Sequence, residues 1–195
     1  MIDKIWLSSP HMGGAEQAFV QQAFDTNWVA PLGPNVNGLE KDLEEYLDET
    51  VFVGALSSGT AAIHLGLILL GVAAGDEVIC QSMTFSASAN PILYQGAIPI
   101  FVDSETDTWN ICPVALEQAI QARIANGAKP KAIIAVHLYG TPYKIEAVRA
   151  VADRYQIPIL ALPVLAADRR RAESGVRRSN SRPAPHSQRH VMHAR

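Results

Sequence analysis

Ser57-Ser58-Gly59-Thr60 stands between a short apolar run, VFVGAL (51–56), and a longer one that begins at Ala61. Where a strand turns sharply into a helix, the first N–H groups of the helix lack intrahelical acceptors and form a site for an anion. Gly59 permits tight backbone geometry and Thr60 adds a hydroxyl donor. Residues of these types in this order suit an anion, a weak signal when taken alone. The plainer reading is a serine or threonine that merely caps the helix. Neither G-x-G-x-x-G nor G-x-x-x-x-G-K-[ST] occurs, so neither a dinucleotide fingerprint nor a P-loop is supported. Phe85, in TFSASAN, follows the strand candidate DEVIC, and its ring is placed to stack on a flat ligand. The alternative for Phe85 is a core aromatic at a strand end. His137, in VHLYG, reads as a strand residue with a satisfied ring rather than an acid or base.

The elements that must carry these residues follow from periodicity. Gly13 to Phe24 is helix-like, with Ala18, Phe19, Ala23 and Phe24 on one stripe. NWVAPLGPNVNG (27–38) reads as a loop, and Leu39 to Leu47 as a helix with leucines four apart. VFVGAL, DEVIC, AIPIFVD, KAIIAVHLY and IPILAL read as strands, with KAIIAVHLY of the kind buried on both faces. Between them, Thr60 to Gly71 reads as a helix apolar almost all round and so buried. CPVALEQAIQARIANG and KIEAVRAVADRY complete the helices, the former with Pro113 near its start and Gly127 past its end. This alternation predicts an α/β domain, three layers α/β/α, with a mostly parallel sheet. Ligands of such sheets bind at the carboxyl ends of strands, which singles out the loops after Leu56, Cys80, Val102, Val136 and Leu160.

The chain has 195 residues, 48% of them hydrophobic, and a formal net charge of -3, which gives no sign of a polyanionic partner. Two cysteines, Cys80 and Cys112, make no disulfide framework and fit a reducing compartment. The amino terminus has no signal-peptide pattern, and the run Ala61–Ala74 is too short to span a bilayer. A cytoplasmic location with no membrane association is expected. Composition changes sharply after about Pro163. Every basic residue beyond Ala166 is an arginine, no Phe, Trp or Tyr remains, and periodicity is lost. Residues 1–163 read as the folded domain and 164–195 as a disordered Arg-rich tail. Without aromatics between the arginines the tail does not read as a nucleic-acid arm. His186, His190 and His193 lack accompanying ligands, so no metal site is expected.

Taken together, SSGTAAIHLGLILLGVAAGDEVICQSMTFSASAN (57–90), GAIPIFVD (96–103), VHLYGTP (136–142) and the stretch from Ser8 to Leu47 resemble the DegT/DnrJ-type sugar aminotransferases. These belong to the pyridoxal-phosphate (PLP) aspartate-aminotransferase superfamily. The likeness runs from about Ile5 to Leu160, and is greatest to the branch that aminates nucleotide-linked 4-keto-6-deoxy sugars for surface glycans. It implies that Gly59 and Thr60 bind the PLP phosphate, that Phe85 stacks on the pyridine ring, and that Asn27 and Trp28 border the sugar site. It also implies a homodimer, a nucleotide-linked keto sugar as substrate, and an amino donor, glutamate by expectation.

The sequence departs from that pattern where the chemistry is done. The family has a Glu-Asp pair after the strand matching IPIL, whose acid faces the pyridine nitrogen; here Ala161-Leu162 follows. The Schiff-base lysine of the family lies further on, and no lysine occurs beyond Lys144. Lys144, after a strand-end loop, is the one conceivable substitute, while Asp153 and Asp168 do not suit the ring nitrogen. No catalytic residue is therefore assigned. The tail reads as a shifted reading frame beginning near Ala161, with a natural basic tail as the next reading. The expectation is an incomplete large PLP domain in a truncated, inactive chain. The alternative is a non-enzymatic fragment that binds phosphate-bearing ligands or a partner chain.

Overall fold

The computed structural model describes residues 12–47 and 51–162, which fall into two compact units that divide between Ala55 and Leu56. The first holds α1 (Glu16–Asp25) and α2 (Pro34–Tyr46). The second holds α3 (Gly59–Leu69), β1 (Glu77–Gln81), α4 (Asn90–Tyr94), β2 (Ile98–Val102), α5 (Pro113–Ala125), β3 (Ala132–Val136), α6 (Ile145–Tyr155) and β4 (Ile159–Leu162). Short 3-10 turns follow β1 at Ser86–Ser88 and β3 at Leu138–Gly140.

β1 and β3 are the centre of the second unit. All of β1 and all but the last residue of β3 are buried, so both faces of these strands need an apolar cover. Val78, Cys80, Ile134 and Leu160 point to one face and pack with Ile63 and Leu67 of α3 and Ile92 of α4. Ile79, Ile133 and Ala135 point to the other and pack with Leu116 and Ile120 of α5 and Val148 of α6. The four strands pair in parallel in the order β2-β1-β3-β4. This is the three-layer α/β arrangement expected from the alternation of strands and helices.

The strand order fixes where a ligand can enter. β1 passes through α4 to β2 on one side, whereas β3 lies on its other side and passes through α6, on the opposite face, to β4. The chains leaving β1 and β3 therefore diverge, and a crevice opens at their carboxyl ends. Pairing shows the divergence directly. β1 stays in register with β2 as far as Gln81 and Val102, but its ladder with β3 ends at Cys80 and Ile134.

Three expectations are corrected. VFVGAL is not a strand. The Val53 N–H donates to the Glu44 carboxylate at 3.0 Å and the Ala55 N–H to Glu40 at 2.8 Å, so side chains of α2 take the bonds a ladder would use. The helix after Ser58 is not buried all round: Leu65, Ile68 and Leu69 of α3 are exposed, because only one of its sides faces the sheet. Residues 34–38, read as loop, are the first turns of α2, with Pro34 at a helix start where its missing N–H costs nothing. The short α4 was not expected; it too has a proline, Pro91, in its first turn. The expected Arg-rich tail, residues 164–195, lies outside the described residues.

Candidate functional site

Ser58 is the N-cap of α3. Its backbone is extended and its Oγ accepts the Ala61 N–H at 3.1 Å, while its carbonyl accepts the Ala62 N–H at 3.0 Å. The plain capping reading of this turn is thus correct for Ser58. It leaves the N–H groups of Gly59 and Thr60, at the very start of the helix, without intrahelical acceptors. Gly59 does not adopt a positive φ, so its value here is the absence of a side chain rather than an unusual turn. The helix dipole favours negative charge at the same place.

Phe85 lies on the chain leaving β1, just before the 3-10 turn that packs against α3. Phe85 is 75% exposed and so is not part of the core of the described residues. Its backbone, by contrast, is pinned. Ser82 donates its N–H to Val102 O at 2.9 Å, Gln81 donates its side-chain amide to Met83 O at 2.9 Å, and Ser88 donates its N–H to Phe85 O at 2.9 Å. Thr84 and Ser88 share a hydroxyl hydrogen bond of 2.8 Å. A large apolar ring held out in water on a fixed backbone is an arrangement that a stacking partner would complete.

The loops after β2 and β3 are tied to each other at the carboxyl end of the sheet. Asn110 is fully buried; its Oδ1 accepts the Leu138 N–H at 2.8 Å and its Nδ2 donates to Thr141 O at 2.9 Å. Two neighbours of these bonds, Trp109 and Tyr139, adopt left-handed backbone at φ 60° and 50° although neither is glycine. Both are exposed, and with Met83, Thr108, Leu138 and Thr141 they line an open apolar hollow. Non-glycine residues in this conformation are costly and are kept where surrounding bonds hold them. His137 packs edge-on to Tyr143 with ring centroids 4.9 Å apart, and burial lowers its pKa. It is a packed ring, but it lies one residue beyond β3, at the start of the 3-10 turn, rather than in the strand as the sequence suggested.

Lys144 is not a free amine. Its Nζ stands 2.6 Å from Asp107 and 2.8 Å from Glu105, and those carboxylates raise its pKa. Glu105 is buried and also accepts from Thr108; with Lys144 as the larger cause, its carboxyl is lowered to about 2. A nucleophilic lysine needs a depressed pKa, and this environment does the reverse. The one conceivable substitute lysine is therefore a structural clasp between the loop after β2 and the start of α6.

In the first unit, Asn27 has left-handed backbone at φ 58°, and the Trp28 N–H donates to Ala23 O at 2.8 Å. Trp28 is half exposed and lies over Gly33, whose φ is 146°. A Cβ at Gly33 would stand a tight 3.3 Å from the Trp28 ring, and the positive φ there strains any other residue. Trp28, Thr26, Leu32, Gly33 and Val36 line a shallow cleft.

Sequence reasoning passed over Gln81, Asn110, Trp109 and Tyr139. A polar residue ending an apolar strand, as Gln81 does after EVIC, is a readable signal that a buried amide has work there. The conformations of Trp109 and Tyr139 carry no such signal, because bulky residues do not ordinarily mark left-handed backbone. Among the described residues no helix is long and apolar enough to cross a membrane, and no cluster of His, Cys, Asp or Glu could hold a metal ion.

The chain is 52% identical over 160 residues to EpsN of Bacillus subtilis (strain 168), named as a pyridoxal phosphate-dependent aminotransferase. That match covers 82% of this chain and 41% of EpsN. It is 39% identical over 137 residues to the GDP-perosamine synthase of Escherichia coli O157:H7, covering 70% of this chain and 36% of that one. Among solved structures, Spr1654 of Streptococcus pneumoniae, assigned as a sugar aminotransferase and solved in its PMP form, superposes with a TM-score of 0.72 at 31% identity. That superposition covers 82% of this chain and 42% of Spr1654. The chain thus spans about two fifths of the length of the curated relatives it matches. Its residues 10–161 match the model of the DegT/DnrJ/EryC1/StrS aminotransferase family, whose cofactor is PLP, and the chain belongs to that family.

Proposed function

We propose that this chain holds PLP at the crevice beside β1. The N–H groups of Gly59 and Thr60, with the Thr60 hydroxyl, take the phosphate, and Phe85 lies against the pyridine face. The observation that carries this reading is the pairing of an unsatisfied helix start with a pinned, 75% exposed Phe85 on the adjoining loop. One feature is built for an anion and the other for a flat ring, and PLP has both.

The parent reaction is amino transfer, with glutamate as donor, to a nucleotide-linked 4-keto-6-deoxy sugar for a surface glycan, in a cytoplasmic homodimer. Likeness to a GDP-perosamine synthase supports that substrate class. Asn27 and Trp28 are proposed sugar contacts, on the strength of the left-handed Asn27 and the shallow cleft under Trp28. When bound, PLP supplies a protonated ring that draws electrons away from the reacting carbon. The residues present fit the phosphate and the ring. They do not fit the rest: β4 runs on through Ala161 and Leu162 where an acid would face the ring nitrogen, and Lys144 is locked in an ion cluster.

On this reading residues 1–163 are the amino-terminal part of the large domain, and among the described residues they supply binding of the cofactor without a lysine or acid placed for transamination. The test is titration of the purified chain with PLP, followed by addition of glutamate and a nucleotide 4-keto sugar. Saturable binding that Thr60→Ala and Phe85→Ala both weaken, without amino-sugar product, is the expected result. Unchanged binding in both variants places the site elsewhere, and amino-sugar product refutes the fragment reading.

A further inference from the structure

We infer that Gln81 is a positioning residue for the cofactor ring: it closes the floor of the crevice and sets the height of Phe85. The inference rests on the PLP reading above.

Gln81 is the last residue of β1 and is fully buried. A buried side-chain amide is costly unless its groups are bonded, and here both ends are. Nε2 donates to Met83 O at 2.9 Å, and Oε1 accepts the Val136 N–H at 3.3 Å. The second bond replaces a missing rung. The backbone ladder between β1 and β3 stops at Cys80 and Ile134, so the Val136 N–H, two residues on, lies beyond its reach. The Gln81 side chain spans the widening gap and satisfies that donor.

The first bond is what makes this more than strand repair. Met83 lies two residues before Phe85, and its carbonyl is held by the same amide that grips β3. The loop to Phe85 is thereby referenced to both strands that flank β1: to β2 through Ser82 and Val102, and to β3 through Gln81. The phosphate end of the site, at α3, receives no bond from Gln81. Loss of Gln81 is therefore expected to disturb the ring end of the site and spare the anion end.

That asymmetry is measurable on the full 195-residue chain with two probes, PLP and inorganic phosphate. Gln81→Met keeps the volume and removes both bonds. Gln81→Glu keeps the length and the acceptor for Val136 but loses the donor to Met83. The expected result is PLP affinity about ten-fold weaker in both, a change of the order of one lost hydrogen bond, with phosphate affinity within about two-fold of the unaltered chain. In a Phe85→Ala background the Gln81 substitutions should cost nothing further for PLP, since the two act through one contact. Equal weakening toward PLP and phosphate, or full additivity with Phe85→Ala, overturns the proposal and leaves Gln81 a merely structural residue. If neither variant folds, the unaltered chain decides by NMR. The Gln81 side-chain NH2 should exchange slowly, and PLP but not phosphate should slow it further; equal effects of the two overturn the proposal. Failure of the unaltered chain to bind PLP, or binding indifferent to Phe85→Ala, refutes the parent reading instead and removes this one with it.

Discussion

The ammonium of Lys144 lies 2.8 Å from the Glu105 carboxylate, and this pair joins the loop after β2 to the first residue before α6. Glu105 is buried and holds its proton so weakly that its pKa is lowered to about 2, from an ordinary value of 4.5, by hydrogen bonds from Lys144 and Thr108. A carboxyl whose folded pKa is depressed contributes stability above its unfolded pKa and loses it as pH falls through the folded one. The unaltered chain should therefore keep its stability from pH 7 to about 5 and lose part of it between about 4.5 and 2. Glu105→Gln should remove that segment of the pH dependence. Denaturant unfolding at intervals of pH measures it, and identical profiles for the two chains would contradict the clasp.

The same pair forbids covalent capture of the cofactor at this lysine. An amine must be neutral to attack a carbonyl, and the Asp107 and Glu105 carboxylates raise the Lys144 pKa instead. Reduction of a PLP-saturated sample with borohydride, followed by peptide mass spectrometry, should leave Lys144 unmodified at pH 7 to 8. Stoichiometric pyridoxyl-Lys144 would overturn this account of the cluster.

How much of this was legible in the sequence depended on the kind of information each residue carries. The sheet was legible because short apolar runs such as DEVIC and KAIIAVHLY alternate with helical periods, the latter run being of the kind buried on both faces. The Ser58 cap was legible because helix starts draw on few residue types. VFVGAL misled because a strand needs a partner as well as a pattern, and Glu40 and Glu44 of α2 bind its N–H groups instead. The outer face of α3 misled for a related reason: apolar composition does not reveal which side a neighbour will cover. Gln81 and Asn110 act through hydrogen bonds that reach across 55 residues in one case and 28 and 31 in the other, and no local pattern announces those.

Asn110 should prove more sensitive than its distance from the anion turn suggests. It accepts from Leu138 and donates to Thr141, so it joins the loop after β2 to the loop after β3 and supports the left-handed Trp109 and Tyr139. Asn110→Leu preserves bulk but strands the Leu138 N–H in the interior. An unsatisfied buried donor costs about 1–3 kcal/mol. Urea unfolding should show a loss of that size, and Asn110→Asp, which keeps the acceptor, should lose less in acceptance but forfeit the bond to Thr141. A neutral Asn110→Leu variant would show that the two loops are held by other contacts.

Ser58 and Thr60 should separate the two roles of one turn, capping and anion binding. The Ser58 hydroxyl is already occupied, accepting the Ala61 N–H at 3.1 Å. Ser58→Ala should lower stability by about 1 kcal/mol, the usual value of such a cap, and change phosphate affinity only in proportion to fraying of α3. Thr60 is half-buried inside the first turn, and its hydroxyl caps nothing in the described residues. Thr60→Ala should leave unfolding within about 0.5 kcal/mol of the unaltered chain, the ordinary range for a substitution away from such features. It should weaken phosphate about ten-fold, since a hydrogen bond to a charged group is worth roughly 1.5 kcal/mol or more. Denaturation and phosphate titration of the two single variants give four numbers. The expected pattern is crossed: stability falls in one variant, and affinity in the other. If phosphate affinity is unmoved in both variants and only the stability of Ser58→Ala falls, the turn is a helix cap and the anion site is not at α3.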